Sequence, residues 1–220
     1  PTGLNRTYPN IVNFEGVHGL ETVKWTPIDV ADQVVYDVTV PFIRMVAGPM
    51  DYTQGAMLNG TRETFRVRNS LPMSPGTRCR QLAEYVIFES PLNMMCDSPN
   101  NYRKEPECTR FIASVPTVWS QTLPLDGKIG QFAAIARRKG DSWWIGALTD
   151  WNPRTVDIDL SPLNLAPGQY RITIFRDGPN ADRYPNDFSV DSLPLPKNNI
   201  LNLQLAPGGG AAIRIDPLTK

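Results

Sequence analysis

Prolines and glycines interrupt this chain too often for long helices or long strands. Its 220 residues include 21 prolines and 16 glycines, spread along the whole length. Proline ends or kinks a helix and cannot donate a hydrogen bond to a sheet, and glycine favours turns. The pattern predicts a loop-rich fold in which many turns separate short elements. The length allows one large domain or two modest ones, each with a real core.

The charges balance, with 22 lysines and arginines against 22 aspartates and glutamates. No global charge attracts nucleic acid or an anionic membrane, and no basic patch carries aromatic platforms, so we expect no nucleic-acid partner. No apolar stretch approaches the roughly 20 residues of a membrane span. The chain begins with proline and lacks the pattern of a signal peptide, so we expect a processed or excised piece of a longer protein.

In residues 1–113, short apolar runs are each followed by polar sequence. Three runs predict buried strands that end near Phe14, Met50 and Cys96. Apolar residues at helical spacing in "GTRCRQLAEYVIFES" predict a helix, and "DVADQVVYD" is a second helical stretch. Strand, connection, strand, helix and strand is the pattern of a parallel sheet. One acid follows each predicted strand, at the edge where such sheets carry active sites: Glu15, Asp51 and Asp97.

From residue 114 the sequence pattern changes to short apolar runs that partly alternate with polar residues. These runs are separated by "KGD", "APG", "RDGPN" and "PGGG". Alternation between turn signals predicts an antiparallel β-domain. The boundary is expected within "ASVPTVWSQTLPLDG". We therefore divide the chain into residues 1–113 and residues 114–220.

Carboxylates are the side chains best suited to chemistry here. The single histidine, His18, excludes a multi-histidine metal centre, and no nucleophile elbow or phosphate-binding glycine motif is present. Three cysteines without CxxC spacing support neither a zinc site nor a disulfide framework. The spacing of Glu15 and Glu21 suits glycoside hydrolysis or Ca²⁺ binding. Taken alone this spacing is weak evidence, and it favours the simpler interpretation that one or both glutamates cap the following helix or form surface ion pairs.

Four long, collinear blocks resemble glycoside hydrolase family 97, and the resemblance covers nearly the whole chain. It implies an α/β plus all-β fold: the last three strands of a (β/α)8 catalytic barrel, followed by a C-terminal antiparallel β-sandwich. The family's N-terminal domain and the earlier barrel segment would be missing from this chain. The blocks are "RTYPNIVNFEGVHGLE", "PFIRMVAGPMDYTQGAM", "GTRCRQLAEYVIFESPLNMMCDSP" and "FIASVPTVW" continued by "LDGKIGQFAAIARRKGDSWWIGALTDW".

The resemblance also implies residue roles. Glu21 matches the general acid of inverting members and the acid/base of retaining members, and Glu15 and Glu21 match ligands of an active-site Ca²⁺. Asp51 and Asp97 either line the site or cap loops. The partner carboxylate would lie upstream of Pro1, so we predict that the chain alone is inactive.

"NFEGVHGLETVKW" is similar to the retaining branch, which includes α-galactosidases. We expect part of an exo-acting retaining α-galactosidase that acts on α-linked oligosaccharides, in a bacterial periplasm or secreted. An inverting α-glucosidase of the same family is the alternative.

A hypothesis of another class is a non-catalytic carbohydrate-binding or structural module. Trp143, Trp144 and Trp151 would then form a sugar-stacking platform on the β-domain, whereas tryptophans in such a domain are otherwise core or interdomain residues.

Overall fold

The first half of the computed structural model consists of short helices joined by loops. The structure describes residues 3–25 and 30–218. The regular elements of this half are α1 (Val30–Asp37), β1 (Asn59–Gly60), β2 (Ser74–Pro75), α2 (Arg78–Ile87), α3 (Pro99–Lys104) and α4 (Pro106–Ser114). Single turns of 3₁₀-helix form at Leu4–Arg6, Thr22–Lys24, Val40–Phe42 and Arg44–Ala47.

Helices α1 and α2 confirm the two helices predicted from the sequence. Helix α2 begins after Thr77, whose hydroxyl accepts a hydrogen bond from the backbone N–H of Arg80 at 3.1 Å. Its last carbonyls are also bound, because the guanidinium of Arg137 donates to the carbonyl oxygens of Val86 and Ile87 at 2.7 and 2.8 Å. Both ends of the helix are therefore satisfied by side chains.

The three strands predicted in this half are wrong as regular elements. Phe14 and Met50 meet in a single parallel bridge, the residues before Met50 form 3₁₀ turns, and residues 92–96 form no strand. Among the described residues, parallel pairing is limited to that bridge and to β1 with β2. A strand needs neighbouring backbone to satisfy its N–H and C=O groups, and a bridge of one residue pair supplies too little.

The second half is antiparallel, as its alternating runs predict. Six strands form one sheet in the order β3-β4-β5-β10-β7-β8, and β6 pairs with β9 in a second, two-stranded sheet. The strands are β3 (Gln121–Lys128), β4 (Phe132–Lys139), β5 (Ser142–Thr149), β6 (Arg154–Asp159), β7 (Tyr170–Asp177), β8 (Phe188–Pro194), β9 (Ile200–Leu205) and β10 (Gly210–Pro217).

Strand β5 is buried on both faces. Trp143 and Ile145 belong to the core between the two sheets, whereas Trp144 and Leu148, on the opposite face, belong to the core shared with the helices. Alternate residues of a strand point to opposite faces. Because both faces of β5 are buried, its sequence is a nearly continuous apolar run. The helical half and the β-domain thus share one hydrophobic core. The boundary near residue 113 stays a prediction.

Helix α2 lies directly on the six-stranded sheet. A Cβ atom at Gly146 would lie 2.7 Å from the carbonyl oxygen of Ala83, and one at Gly210 would lie 2.6 Å from the Cα of Arg80. Only glycine allows so close an approach of backbones. All ten residues of the helix are buried, including its charged ones, whereas the sequence periodicity indicated burial of its apolar face.

Candidate functional site

The acidic loop, which we define as residues 14–21, is held at both ends by the segment 51–53. The backbone N–H of Asp51 donates to the carbonyl oxygen of Phe14 at 2.7 Å. At the other end, the N–H of Leu20 donates to the carbonyl oxygen of Thr53 at 2.8 Å. These bonds place Glu15 and Glu21 at opposite ends of one anchored loop.

Arg44 fastens the first end of the acidic loop. Its guanidinium donates to the carbonyl oxygens of Phe14, Glu15 and Gly48, at 3.1, 2.9 and 3.1 Å. One cation thus joins the loop to the turn before Met50 through charge-assisted hydrogen bonds. Arg44 is not among the residues predicted from the sequence. The available signal was a lone arginine inside the apolar run "FIRMVAG".

The carboxylate of Glu21 does not cap the 3₁₀ turn that follows it. It precedes the 3₁₀ turn Thr22–Lys24, yet its side chain makes no capping hydrogen bond, so the interpretation of Glu21 as a helix cap is wrong. The carboxylate folds back over Gly19, where an added Cβ would lie 2.3 Å from Glu21 Oε2. That oxygen is buried and has no hydrogen-bond partner among the described residues. A buried, unpaired carboxylate oxygen is unfavourable unless a ligand, ion or proton meets it.

The surroundings of Glu21 include the segment that precedes α3. Burial raises the pKa of the Cys96 thiol to about 11, Lys24 opposes this shift, and the carboxylates of Asp97 and Glu21 add to it. Asp97 itself caps its loop: it accepts hydrogen bonds from the backbone N–H groups of Met57 and Ser98 at 2.7 and 2.6 Å. Asp97 therefore serves local structure, whereas one carboxylate oxygen of Glu21 stays without a partner among the described residues.

Glu15 is exposed at the far end of the acidic loop, as is His18 within it. Within residues 3–25 and 30–218, no group of three or more His, Cys, Asp and Glu side chains is arranged to hold a metal ion. The unpaired oxygen of Glu21 and the open carboxylate of Glu15 are nevertheless the hard oxygen donors that Ca²⁺ takes. The calcium site itself stays a prediction.

The predicted sugar-stacking platform of tryptophans on the β-domain is wrong. Trp143 and Trp144 are only 3% and 4% exposed, and their rings enter the cores on opposite faces of β5. Two buried rings that point in opposite directions cannot stack together on a sugar.

The β-domain has an open cleft of about 720 Å³ between the two sheets. Its arginines are already paired: Arg154 lies 3.4 Å from Asp150 and Arg176 lies 3.0 Å from Asp191. Among the described residues that line the cleft, the arginines are already paired with carboxylates and offer no unpaired cation to an anionic ligand.

Asp177, at the wall of this cleft, links three parts of the fold. Its Oδ2 accepts hydrogen bonds from the backbone N–H groups of Ala206 and Gly210, at 2.9 and 3.0 Å. Burial raises the pKa of Asp177 to about 6, although hydrogen bonds from Thr77, Ala206 and Gly210 oppose the shift. The folded state therefore binds this proton more tightly than the unfolded state, in which the pKa is near 3.8.

We expect Asp177→Asn to stabilise the chain at pH 7 and to lose this advantage in acid. The ionised carboxylate costs stability above pH 6, and the cost disappears as the pH falls from about 6 towards 4. The free energy of unfolding should favour the variant by about 1–3 kcal/mol at pH 7 and by roughly 1 kcal/mol less at pH 5. Urea denaturation at both pH values measures the difference. Asp182→Asn, an exposed position on the same cleft, is the control, and a pH-independent difference would contradict the expectation.

The fold and the site together define a class of protein in which an antiparallel β-domain packs on a helical part, and the helical part carries an anchored acidic loop. A family model described as "Glycosyl-hydrolase 97 C-terminal, oligomerisation" matches residues 118–216. A retaining α-galactosidase of Bacteroides thetaiotaomicron is 55% identical over 215 residues, which are 98% of this chain and 32% of that protein. Together these two matches support the assignment of the chain as a C-terminal fragment of a glycoside hydrolase family 97 protein.

A more distant relative and two solved structures are also similar to nearly the whole chain or most of it. A probable retaining α-galactosidase of Streptomyces bingchenggensis is 29% identical over 180 residues, 82% of this chain and 25% of that protein. A family 97 enzyme from a Pseudoalteromonas species, solved with acarbose, superimposes with a TM-score of 0.83 at 36% identity, over 99% of this chain and 33% of that one. A β-arabinopyranosidase superimposes with a TM-score of 0.77 at 27% identity, over 95% and 32%.

This chain therefore spans about a quarter to a third of the length of the relatives it matches. None of the helices in the described part of the chain combines the length and the apolar character needed to cross a bilayer.

Proposed function

We propose that this chain is the C-terminal part of an exo-acting, retaining α-galactosidase that releases terminal α-linked galactose from oligosaccharides. The observation that carries the proposal is the 55% identity to a retaining α-galactosidase over 98% of the chain. The proposal includes a (β/α)8 barrel completed by residues outside this chain. The parallel bridge of Phe14 with Met50 and the parallel pair β1–β2 support it, since barrel strands run parallel.

In this proposal Glu21 is the general acid/base. Its carboxyl group protonates the glycosidic oxygen while a carboxylate from the missing part of the barrel attacks the anomeric carbon. Glu21, now ionised, then removes a proton from the water that releases the sugar. The anchored loop and the unpaired Oε2 keep the carboxylate available for both transfers.

Glu15 and Glu21 would hold Ca²⁺ in the complete protein, with further ligands from the missing segment. The bound cation would supply positive charge beside the reacting centre and would fix the geometry of its carboxylate ligands. Exposed Glu15 is open to such an ion. We also propose export to a bacterial periplasm or secretion, which fractionation of the source cells would test.

Hydrolysis of 4-nitrophenyl α-galactoside tests the function. We expect the complete protein to hydrolyse it and to release the α-anomer first, as followed by proton NMR. We expect the 220-residue chain alone to show no turnover, because one of the two required carboxylates lies outside it. Release of the β-anomer, or a strong preference for α-glucosides, would instead favour the inverting α-glucosidase.

Chelation tests the cation. Treatment of the complete protein with EGTA should abolish turnover, and added Ca²⁺ should restore it. Glu15→Gln should raise the Ca²⁺ concentration needed for half-maximal restoration by about tenfold or more, because one anionic ligand is lost. Full activity after chelation would contradict the calcium proposal and leave the glycosidase proposal standing.

A further inference from the structure

Helix α1 contacts the acidic loop through two side chains. The amide nitrogen Nε2 of Gln33 donates to the carbonyl oxygen of His18 at 3.1 Å. The backbone N–H of the same histidine donates to the hydroxyl oxygen of Tyr36 at 2.9 Å. Both polar backbone groups of one residue, three positions before Glu21, are thus bound by side chains of α1.

The inner end of this arrangement is a buried polar cluster. Gln33 Nε2 also donates to Asp37 Oδ1 at 3.0 Å, and the hydroxyl of Tyr52 donates to the same oxygen at 2.7 Å. On the other side of Asp37, Arg80 Nη2 donates to Oδ2 at 3.0 Å. Gln33, Asp37, Tyr52 and Arg80 are all almost fully buried, so their orientations are set by these contacts.

The cluster continues into the β-domain. Arg80 Nη1 donates to the carbonyl oxygen of Thr149, the last residue of β5, at 2.9 Å. Its other nitrogen, Nη2, reaches the carbonyl oxygen of Val34 in α1 at 3.2 Å. A continuous path of hydrogen bonds therefore runs from the end of β5, through Arg80, Asp37 and Gln33, to the acidic loop.

We propose that Tyr36 and Gln33 are positioning residues for Glu21, and that Asp37 and Arg80 fix them to the β-domain. The inference rests on the proposed role of Glu21 as acid/base. It gives the β-domain a part in catalysis: its strand β5 sets the place of α1, and α1 sets the place of the loop. Displacement of a catalytic group by about 1 Å can lower a rate by about 100-fold. Loss of the support from α1 should therefore lower kcat measurably.

Tyr36→Phe and Gln33→Met test the proposal, because each removes one contact to His18 and keeps the size of the side chain. Asp37 retains Tyr52 and Arg80 in the second variant, so no buried charge is left alone. Tyr170→Phe, a half-buried tyrosine at the start of β7, is the matched control. Each variant is made in the complete protein for kinetics and in the 220-residue chain for hydrogen exchange.

We expect each of the two variants to lower kcat by about tenfold or more while KM changes less than twofold. In the 220-residue chain, amide exchange of residues 16–21 should accelerate in both variants, and exchange in β5 and β10 should stay unchanged. The double variant should show a loss close to that of either single variant, since both contacts act on one residue. Tyr170→Phe should change neither readout.

Two results overturn the inference. Wild-type kcat in both variants, with unchanged loop exchange, shows that α1 does not position the loop. Faster loop exchange with wild-type kcat shows that it holds the loop without serving the reaction. Failure of the proposed function is distinct from either, because Glu21→Gln would then retain activity.

Discussion

Glu21→Gln in the complete protein should lower kcat for 4-nitrophenyl α-galactoside by about 10²–10⁴-fold, the usual worth of a general acid/base. Glutamine keeps the size and a hydrogen-bonding oxygen but cannot deliver or accept the proton. The carboxylate it replaces has a buried oxygen without a partner among the described residues, so the substitution breaks no hydrogen bond of the fold that the structure describes. The free energy of unfolding should therefore change little.

The leaving group separates an acid from a merely structural glutamate. A substrate whose leaving group is already a good one, such as a dinitrophenyl galactoside, needs little protonation, so its first step should be nearly unaffected by Glu21→Gln. The second step, in which Glu21 acts as base, should remain slow and produce a burst of released phenol. Stopped-flow absorbance measures both phases.

The control for this prediction is Glu107→Gln, an exposed glutamate in the first turn of α4. It should leave both kinetic phases at wild-type values. Equal slowing of the first step with good and poor leaving groups in Glu21→Gln, or a kcat within tenfold of wild type, would refute the acid/base role.

Arg80→Met should destabilise the 220-residue chain by about 3–5 kcal/mol, the usual cost of leaving a buried carboxylate without its cation. Arg80 contacts Asp37 at 3.0 Å and Glu84 at 3.3 Å, and all three side chains are fully buried. Burial raises the pKa of Asp37, and it raises the pKa of Glu84 well above its usual range. The guanidinium opposes both shifts, so its loss leaves two buried acids that must take up protons.

The substitution also removes the donors to Thr149 and Val34, and with them the connection between β5 and α1. Arg80→Lys should be intermediate, because an ammonium keeps the charge but cannot reach all of these acceptors at once. Arg138→Met removes an arginine of the exposed pair with Asp141, and it should cost about 0–1 kcal/mol. Urea denaturation measures all three, and a loss below 1 kcal/mol in Arg80→Met would contradict the prediction.

The sequence predicted the elements whose signals are local. Helix α2 has its apolar spacing and its N-cap threonine within one short segment, and the antiparallel β-domain has a turn signal between each pair of runs. The strands near Phe14 and Met50 were wrong because an apolar run shows only that a segment is buried. Whether it pairs along its length depends on backbone elsewhere, and here the pairing is one bridge.

For the site, the sequence supplied Glu15 and Glu21 as candidates and left the helix cap open. The structure excluded the cap for Glu21 by the direction of its side chain, which folds over Gly19 instead. It also added Arg44, whose contacts to Phe14 and Glu15 join positions 30 and 29 residues apart. No spacing rule reaches across such distances.

By itself, the sequence determined helices α1 and α2, the antiparallel strands of the second half, and two glutamates in a motif suited to sugar chemistry. Only the tertiary structure decided that α2 would be buried on every side, that Arg80 would pair with Asp37 across 43 positions, and that α1 would hold His18. The reason is physical. Local propensity and periodicity depend on neighbours within a few residues, whereas buried charge pairs and loop anchors depend on which distant surfaces come together in the fold.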